Sequence, residues 1–237
     1  MPTARDIDKW FDLNVDIDTR TIYMGSTGYT GDDSETGVDH SMAEYFIKGM
    51  HTLESKNNKP ILIIMNNPGG DWYHGMAIYD AIKYSSCECT IKVYGHAMSM
   101  GSIILQAADH RIMMPNSRFM IHYGYDGKAG HAKIVYKWAD EGKRVNWEME
   151  NLYLEKMLDY ETATGKKLES ALDAIVNKAN ELDFPKKVHI KYKFSTKREE
   201  RREQLRVVLA NLLNYDTILT PAETISLGLA DSIFGEE

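Results

Sequence analysis

Gly95-His96-Ala97-Met98-Ser99-Met100-Gly101-Ser102 opens an apolar run that continues to Ala108, and Pro115-Asn116-Ser117-Arg118-Phe119-Met120-Ile121-His122-Tyr123 follows it. Residues 90–94 ahead of this stretch read as a strand, and residues 100–108 as a short apolar helix. Residues 111–114 and 118–122 read as two further strands around the Pro-Asn-Ser turn. This order sets Ser99 at a strand-to-helix turn and His122 at the end of the next buried strand.

The same alternation extends upstream. Lys59-Pro60 opens Ile61-Leu62-Ile63-Ile64-Met65, a continuous apolar run of the kind buried on both faces of a parallel sheet. Asn66-Asn67-Pro68-Gly69-Gly70 ends it in a turn. Residues 76–84 read as a helix carrying Met76, Ile78, Tyr79 and Ile82. Residues 39–53 form another, with Met42, Phe46, Met50 and Leu53 at helical spacing. Residues 21–24 read as a short first strand and the Gly-, Thr- and Asp-rich residues 25–37 as a loop. Strand–helix–strand order implies right-handed crossovers and an α/β core. The loops at 66–71 and 95–99 then share the sheet edge on which active sites of open α/β sheets sit.

Downstream, Ile134, Trp138, Val145, Met149, Leu152 and Met157 keep a period near 3.6 and predict one long helix over residues 132–160, ended at Thr164-Gly165. That length predicts a helix that projects or packs against another subunit. Val188, Ile190, Tyr192 and Phe194 alternate with Lys187, His189, Lys191 and Lys193, as in a strand with one apolar and one basic face. Thr196 to Glu199 fits a capping box for a helix running to about Leu213. A last helix at 221–227 ends at Gly228, and a short strand at 231–234 closes the chain.

The 237 residues allow one large domain or one domain with an elaboration. A 43% hydrophobic and 27% charged composition is that of a soluble globular chain. The formal charge of −7 does not fit general nucleic-acid binding. No N-terminal basic-then-apolar run reads as a signal peptide, and no apolar run is long enough for a membrane span. Cys87 and Cys89 are the only cysteines, one residue apart. They cannot clip distant segments, lack a second ligand pair for a metal, and fit a reducing compartment. Residues 185–206 hold nine Lys or Arg against three Glu, leaving the rest of the chain at −13. The basic element is expected to neutralise an acidic surface on its own fold or on a neighbour.

A hydroxyl nucleophile and an imidazole base are the two parts a serine hydrolase requires. Ser99 sits just before a helix whose first amides favour negative charge, and the Met100 N–H would point at a developing oxyanion. The glycine pair could supply a second donor, the N–H of Gly70. On local sequence alone, Ser99 reads equally as a helix cap, Gly69-Gly70 as a plain turn and His122 as a core histidine. His40, His51, His74, His110, His131 and His189 have no ligand spacing, and His96 could line the site.

Together, Asn-Asn-Pro-Gly-Gly at 66–70, Gly75-Met76-Ala77-Ile78-Tyr79-Asp80, Gly-x-Ala-x-Ser-Met-Gly at 95–101 and Pro-Asn-Ser-Arg-x-Met-Ile-His at 115–122 resemble the ClpP family, the proteolytic subunit of the Clp protease. Asp216-Thr-Ile-Leu-Thr-Pro-Ala-Glu and Gly228-Leu-Ala-Asp-Ser-Ile resemble that family's closing segment. The resemblance implies an α/β, crotonase-like fold with a stacked parallel sheet, a protruding handle helix at 132–160, and a single domain over 1–237. It implies a Ser99–His122–Asp216 triad, with Gly70 and Met100 as oxyanion donors. Asp71, Trp72 and Gly124 would lie along an extended peptide. No cofactor or metal is implied. The implied partners are copies of the chain in two stacked heptameric rings, an ATP-driven AAA+ unfoldase and unfolded polypeptide, in the cytoplasm or an organelle stroma or matrix. Nucleic acid and membrane are not expected as partners. A non-catalytic ring subunit, a crotonase-type acyl-CoA enzyme and a Ser–Lys peptidase are the alternatives.

Four features depart from the family pattern, two of them being a longer loop at 25–38 and a gap of 23 residues between Ser99 and His122, about two shorter than usual. Residues 1–20 hold Trp10, Phe11 and Leu13 but no recognisable pore loop. About 38 residues, 176–213, read as an insertion before Asp216, which makes Asp173 and Asp183 substitute candidates for the acid. Residues 186–213 are expected to form an added strand–helix element at the periphery, in contact with an acidic neighbour and acting on assembly rather than chemistry.

Overall fold

Strand β4 (Cys89–Met98) organises the first part of the structure. The computed structural model describes residues 10–25, 37–124, 127, 129–181 and 194–236. Most of the expected loop at 25–37, the alternating stretch up to Lys193, and Asp183 lie outside the described residues. The chain divides into two units. The first runs to Met120 and takes in Leu219–Ile225 and the tail from Ala230; the second holds Ile121–Ile218 and Ser226–Leu229.

In the first unit, β1 (Val15–Asp16) pairs antiparallel with β2 (Thr21–Met24). Strands β2, β3 (Ile61–Asn67), β4, β5 (His110–Met113) and the C-terminal β8 (Ser232–Ile233) then follow in parallel. Helices α1 (His40–Glu54), α2 (Trp72–Lys83) and α3 (Met100–Leu105) are the crossovers, α1 packing on α2 and α2 on α3. Asp39 caps α1 by accepting the Met42 N–H at 2.8 Å, and Asp71 caps α2 by accepting the His74 N–H at 2.9 Å. The Asp71 cap starts α2 four residues ahead of the position its apolar spacing predicts.

Two further expectations are corrected here. Strand β3 is not sealed on both faces: Ile61, Ile63, Met65 and Asn67 are buried, while Leu62, Ile64 and Asn66 are partly accessible. Residues 95–98 are strand, not loop. Thr90–Val93 pair with β5, and His96–Met98 pair in parallel with the start of β6 (Arg118–Ile121). Between these runs the register against β3 slips from Met65↔Val93 to Asn67↔Ala97. Gly95 sits in the slip at φ +63°, where a Cβ would collide with Asn66 Oδ1. That oxygen also accepts the His96 N–H at 3.3 Å. The glycine bends the strand without ending it, as a bulge does.

Cys87 and Cys89 are buried free thiols in this unit. Burial pushes the Cys89 thiol up to about 11, which makes it inert. Arg20 donates to the carbonyls of Leu53, Asn57, Lys59 and Pro60 and to Cys87 Sγ, tying the end of α1 to the start of β3.

The second unit is built on α4 (Ala132–Thr164), 33 residues long and stopped by Gly165 in the left-handed region at φ 69°. Its buried residues all lie in the C-terminal half: Met149, Tyr153, Leu154, Met157, Leu158 and Glu161. Ile134, Tyr136 and Trp147 are more than half exposed. Helices α5 (Glu169–Glu181) and α6 (Arg198–Leu213) follow, α6 packing on α4 and burying Leu205, Val208, Leu209, Leu212 and Leu213.

One expectation about α6 changes. The capping box does not form: Lys197 is at the cap position and its side chain makes no capping hydrogen bond. Ser195 does the work instead, donating to Glu200 at 2.8 Å and accepting the Lys197 N–H at 3.2 Å. Of the two acidic partners expected, its own fold or a neighbour, its own fold supplies one. Arg198 faces Asp159 at 3.5 Å, Arg201 reaches Glu161 and Glu169, Arg202 reaches Asn151 at 2.9 Å, and Arg206 reaches Glu150 at 2.8 Å. The positive charge of α6 is met by the acidic face of α4 and the start of α5.

Arg201 and Glu161 are almost wholly buried, so deleting one partner strands the other. Arg201→Met should cost about 3–5 kcal/mol, read from urea unfolding at neutral pH. Arg201 also holds the Glu169 carboxyl below its ordinary value. A carboxyl depressed in the folded state stabilises above its unfolded pKa and loses that contribution as the pH falls through the folded value. The wild type should therefore lose stability on acidification below about pH 4.5, and the Arg201→Met protein should show a shallower acid limb.

Candidate functional site

Ser99 separates the end of β4 at Met98 from the start of α3 at Met100, with φ 51° and ψ −122°. That backbone region is essentially reserved for glycine, and a side chain there costs on the order of 1–3 kcal/mol. The flanking elements impose it. The Ser99 N–H donates to Met120 O at 3.0 Å, continuing the β4–β6 ladder, while every residue of α3 is buried. Ser99 does not act as a cap, because its side chain makes no cap hydrogen bond. Ser102 instead ties the turn, donating its hydroxyl to Ser99 O at 2.5 Å.

The glycine turn lies in the same unit. Asn67 is fully buried; its Oδ1 accepts the Gly69 N–H at 2.9 Å and its amide nitrogen reaches Met42 Sδ at 3.5 Å. Gly69, at φ +109°, has no room for a Cβ, which would fall 2.5 Å from Ser99 Cβ and 2.9 Å from Met98 O. Gly70, at φ +142°, would drive a Cβ into the Val38 backbone. Val38 brackets the turn, donating to Gly69 O at 2.5 Å and accepting from the Asp71 N–H at 2.8 Å. This is more than a plain turn, since both glycines are required by close backbone approach. The Met100 N–H, at the first position of α3, is one of the amides a helix leaves without an internal acceptor. Gly75 leaves the space that the Met100 side chain occupies. Asp71 and Trp72 open α2 beside this turn.

The second unit holds the imidazole. His122 follows directly on β6, and its Nδ1 lies 2.9 Å from Asp216 Oδ1. A carboxylate only accepts, so Nδ1 carries the proton and Nε2 is left as the acceptor. Asp216 sits between the end of α6 and β7 (Thr217–Leu219). The Tyr123 N–H donates to Leu213 O at 2.7 Å, and Thr217 Oγ1 donates to Leu212 O at 2.7 Å, which fixes that turn. Asp173 is exposed on α5, and the carboxylate that meets His122 is that of Asp216. Gly124 is exposed with open space around it.

The remaining histidines have other surroundings. His110 pairs with Glu88 at 2.7 Å, and His51 with Glu54 at 3.4 Å. The His40 and His74 rings lie 5.5 Å apart. Among the described residues no group of three or more His, Cys, Asp or Glu could hold a metal ion. No helix among them is long and apolar enough to cross a membrane. Sequence reasoning missed Val38, the buried Asn67 side chain and the Tyr123 environment. Asn67 alone carried a signal, being an amide directly before Pro-Gly-Gly.

Comparison with known proteins adds to this geometry. A family model described as Clp protease matches residues 34–173. The ATP-dependent Clp protease proteolytic subunit of Deinococcus radiodurans is 36% identical over 121 residues, covering 50% of this chain and 59% of the relative. The protein of the same name from Chlorella vulgaris is 35% identical over 122 residues, covering 50% of this chain and 61% of the relative. The match spans about three fifths of the length of these relatives. A solved ClpP1 mutant from Listeria monocytogenes superposes with a TM-score of 0.60 at 23% identity, covering 93% of this chain and 94% of the other, and so shares the α/β fold with its parallel sheet. With the family model spanning more than half of the sequence, the chain belongs to the Clp protease family.

Proposed function

We propose that the protein is a serine endopeptidase that hydrolyses peptide bonds of unfolded polypeptides, with Ser99 as nucleophile, His122 as general base and Asp216 as the acid that orients it. The observation that carries this reading is the Ser99 backbone. A serine held at φ 51° on a strand-to-helix turn, with no capping role, gains nothing for stability that glycine would not supply. A sharp turn that presents a hydroxyl is what a nucleophile requires.

In this mechanism His122 Nε2 takes the Ser99 proton as Oγ attacks the scissile carbonyl, and then protonates the leaving amine. Asp216, at 2.9 Å from Nδ1, selects the tautomer in which Nε2 is the accepting nitrogen and stabilises the imidazolium. The amides of Gly70 and Met100 supply oxyanion donors, each worth on the order of 3 kcal/mol in the transition state. An extended peptide would run along Asp71 and Trp72 and past Gly124. By analogy with relatives named as proteolytic subunits of an ATP-dependent protease, the chain would assemble with copies of itself into stacked rings and take substrate from an ATP-driven unfoldase. It would act in the cytoplasm or in an organelle stroma or matrix.

A fluorophosphonate probe should label Ser99 in the wild type, read by peptide mass mapping. Ser99→Ala should abolish labelling and lower peptide turnover by at least about a thousandfold. Asp216→Asn should lower kcat by a similar order, since it allows the wrong imidazole tautomer. An unlabelled wild type would favour a non-catalytic ring subunit. The strain makes a separate prediction: Ser99→Gly should be as stable as wild type or up to about 2 kcal/mol more so, whereas Ser99→Ala inherits the left-handed backbone and gains nothing. Thermal melting of the two inactive variants distinguishes them.

A further inference from the structure

His122 and Asp216 are joined by one hydrogen bond, and each is anchored close by. Tyr123 follows His122, and Leu213 lies three residues before Asp216; the Tyr123 N–H donates to Leu213 O at 2.7 Å. The Tyr123 hydroxyl donates to Glu150 Oε1 on α4. Glu150 Oε2 accepts from Arg206 Nη1 on α6 at 2.8 Å, and Arg206 Nη2 donates to Asn151 at 2.7 Å. The Arg206 guanidinium also lies 5.9 Å from the Trp147 ring centre. Arg206 is seven residues, or two helical turns, before Leu213 and shares its side of α6. The circuit therefore closes: Tyr123 backbone to Leu213, along α6 to Arg206, across to Glu150, and back to the Tyr123 hydroxyl.

Such a circuit fixes the axial position of α6. A helix rises 1.5 Å per residue, so a slide of even a fraction of a residue would break a 2.9 Å contact at its end. Leucines alone set that position poorly, because apolar contacts are non-directional. The Glu150–Arg206 pair is directional and largely buried, with side chains 12% and 16% exposed. Burial and the neighbouring Glu150 carboxylate push the Tyr123 phenol well above its ordinary value, so the hydroxyl stays a donor at any working pH.

We propose that Tyr123, Glu150 and Arg206 are positioning residues that set α6 in register along α4 and thereby hold the Asp216 carboxylate against His122. The catalytic part of this inference rests on the endopeptidase reading. The placement of Asp216 does not.

The test uses Tyr123→Phe and Glu150→Gln, each in the full chain. Hydrogen exchange read by mass spectrometry should quicken about tenfold over residues 213–219, while the amides around Arg201–Leu209 keep their protection. Peptide turnover should show kcat down about tenfold with KM within about twofold. In an Asp216→Asn background the same substitution should change kcat by less than about twofold, because a residue acting through Asp216 has nothing left to position. Arg206→Lys, which keeps the charge but loses the fork, should give a smaller change in the same direction. Unchanged exchange over 213–219 would overturn the proposal, as would an equal loss of kcat in both backgrounds. Failure of the endopeptidase reading is seen separately, as a wild type whose Ser99 takes no fluorophosphonate. The exchange arm then decides alone.

Discussion

Strand β4 changes partners halfway along its length, and the geometry of the site follows from that change. Its first half pairs with β5 and its second half with β6, with Gly95 at the bend. The second half carries the chain past β5 and delivers Ser99 at its tip. The helix that follows cannot rotate to relieve Ser99, because Met100, Ile103, Ile104 and Leu105 are almost wholly buried. Burying each such side chain contributes about 1.5–3 kcal/mol, against a strain of about 1–3 kcal/mol at one residue. Packing wins, and the serine keeps a backbone it would not choose. The glycine turn is fixed by the same logic from the other side: Gly69 must approach Ser99, and Gly70 must approach Val38, so neither tolerates a Cβ.

Charge organises the second unit as packing organises the first. The acids of α4 and the arginines of α6 are interleaved along the contact, from Glu150 with Arg206 to Asp159 with Arg198. The exposed pairs contribute little individually. Arg201 with Glu161 and Arg206 with Glu150 are different in kind, because burial makes each partner indispensable to the other. These two pairs specify how α6 lies along α4, and α6 ends where Asp216 begins.

The fold was legible wherever local chemistry and tertiary packing agreed. The parallel core, the long helix and the stop at Gly165 could be read from apolar period and glycine placement. Ser99, His122 and Asp216 could be singled out from motifs, and His122 and Asp216 do lie within hydrogen-bond distance. The failures share one cause. Gly95 was read as the end of a strand, when the strand pairing on both sides of it is strong enough to turn a glycine into a bulge. Thr196 and Glu199 had the spacing of a capping box, but Ser195 took the role because Gln204 and Glu200 were placed to bond it. The basic charge of α6 had two readings, its own fold or a neighbour, because a sequence shows composition and not which helix lies opposite. The strain at Ser99 was invisible for the same reason: the residue type is ordinary, and only its flanking elements force the backbone.

Backbone constraint and ionic registry place different demands on the chain. A turn imposed by buried neighbours tolerates substitution of its side chain, since the backbone is held from outside. A carboxylate placed by a helix depends on every contact that stops the helix from sliding. Ser99 belongs to the first kind and Asp216 to the second. Changes far from Ser99 should therefore leave its turn intact, whereas changes along the α4–α6 contact should reach Asp216 through the rigid helix between Arg206 and Leu213. Ser99 is held by packing within its own unit, and Asp216 follows a helix held by charge pairs more than two helical turns away.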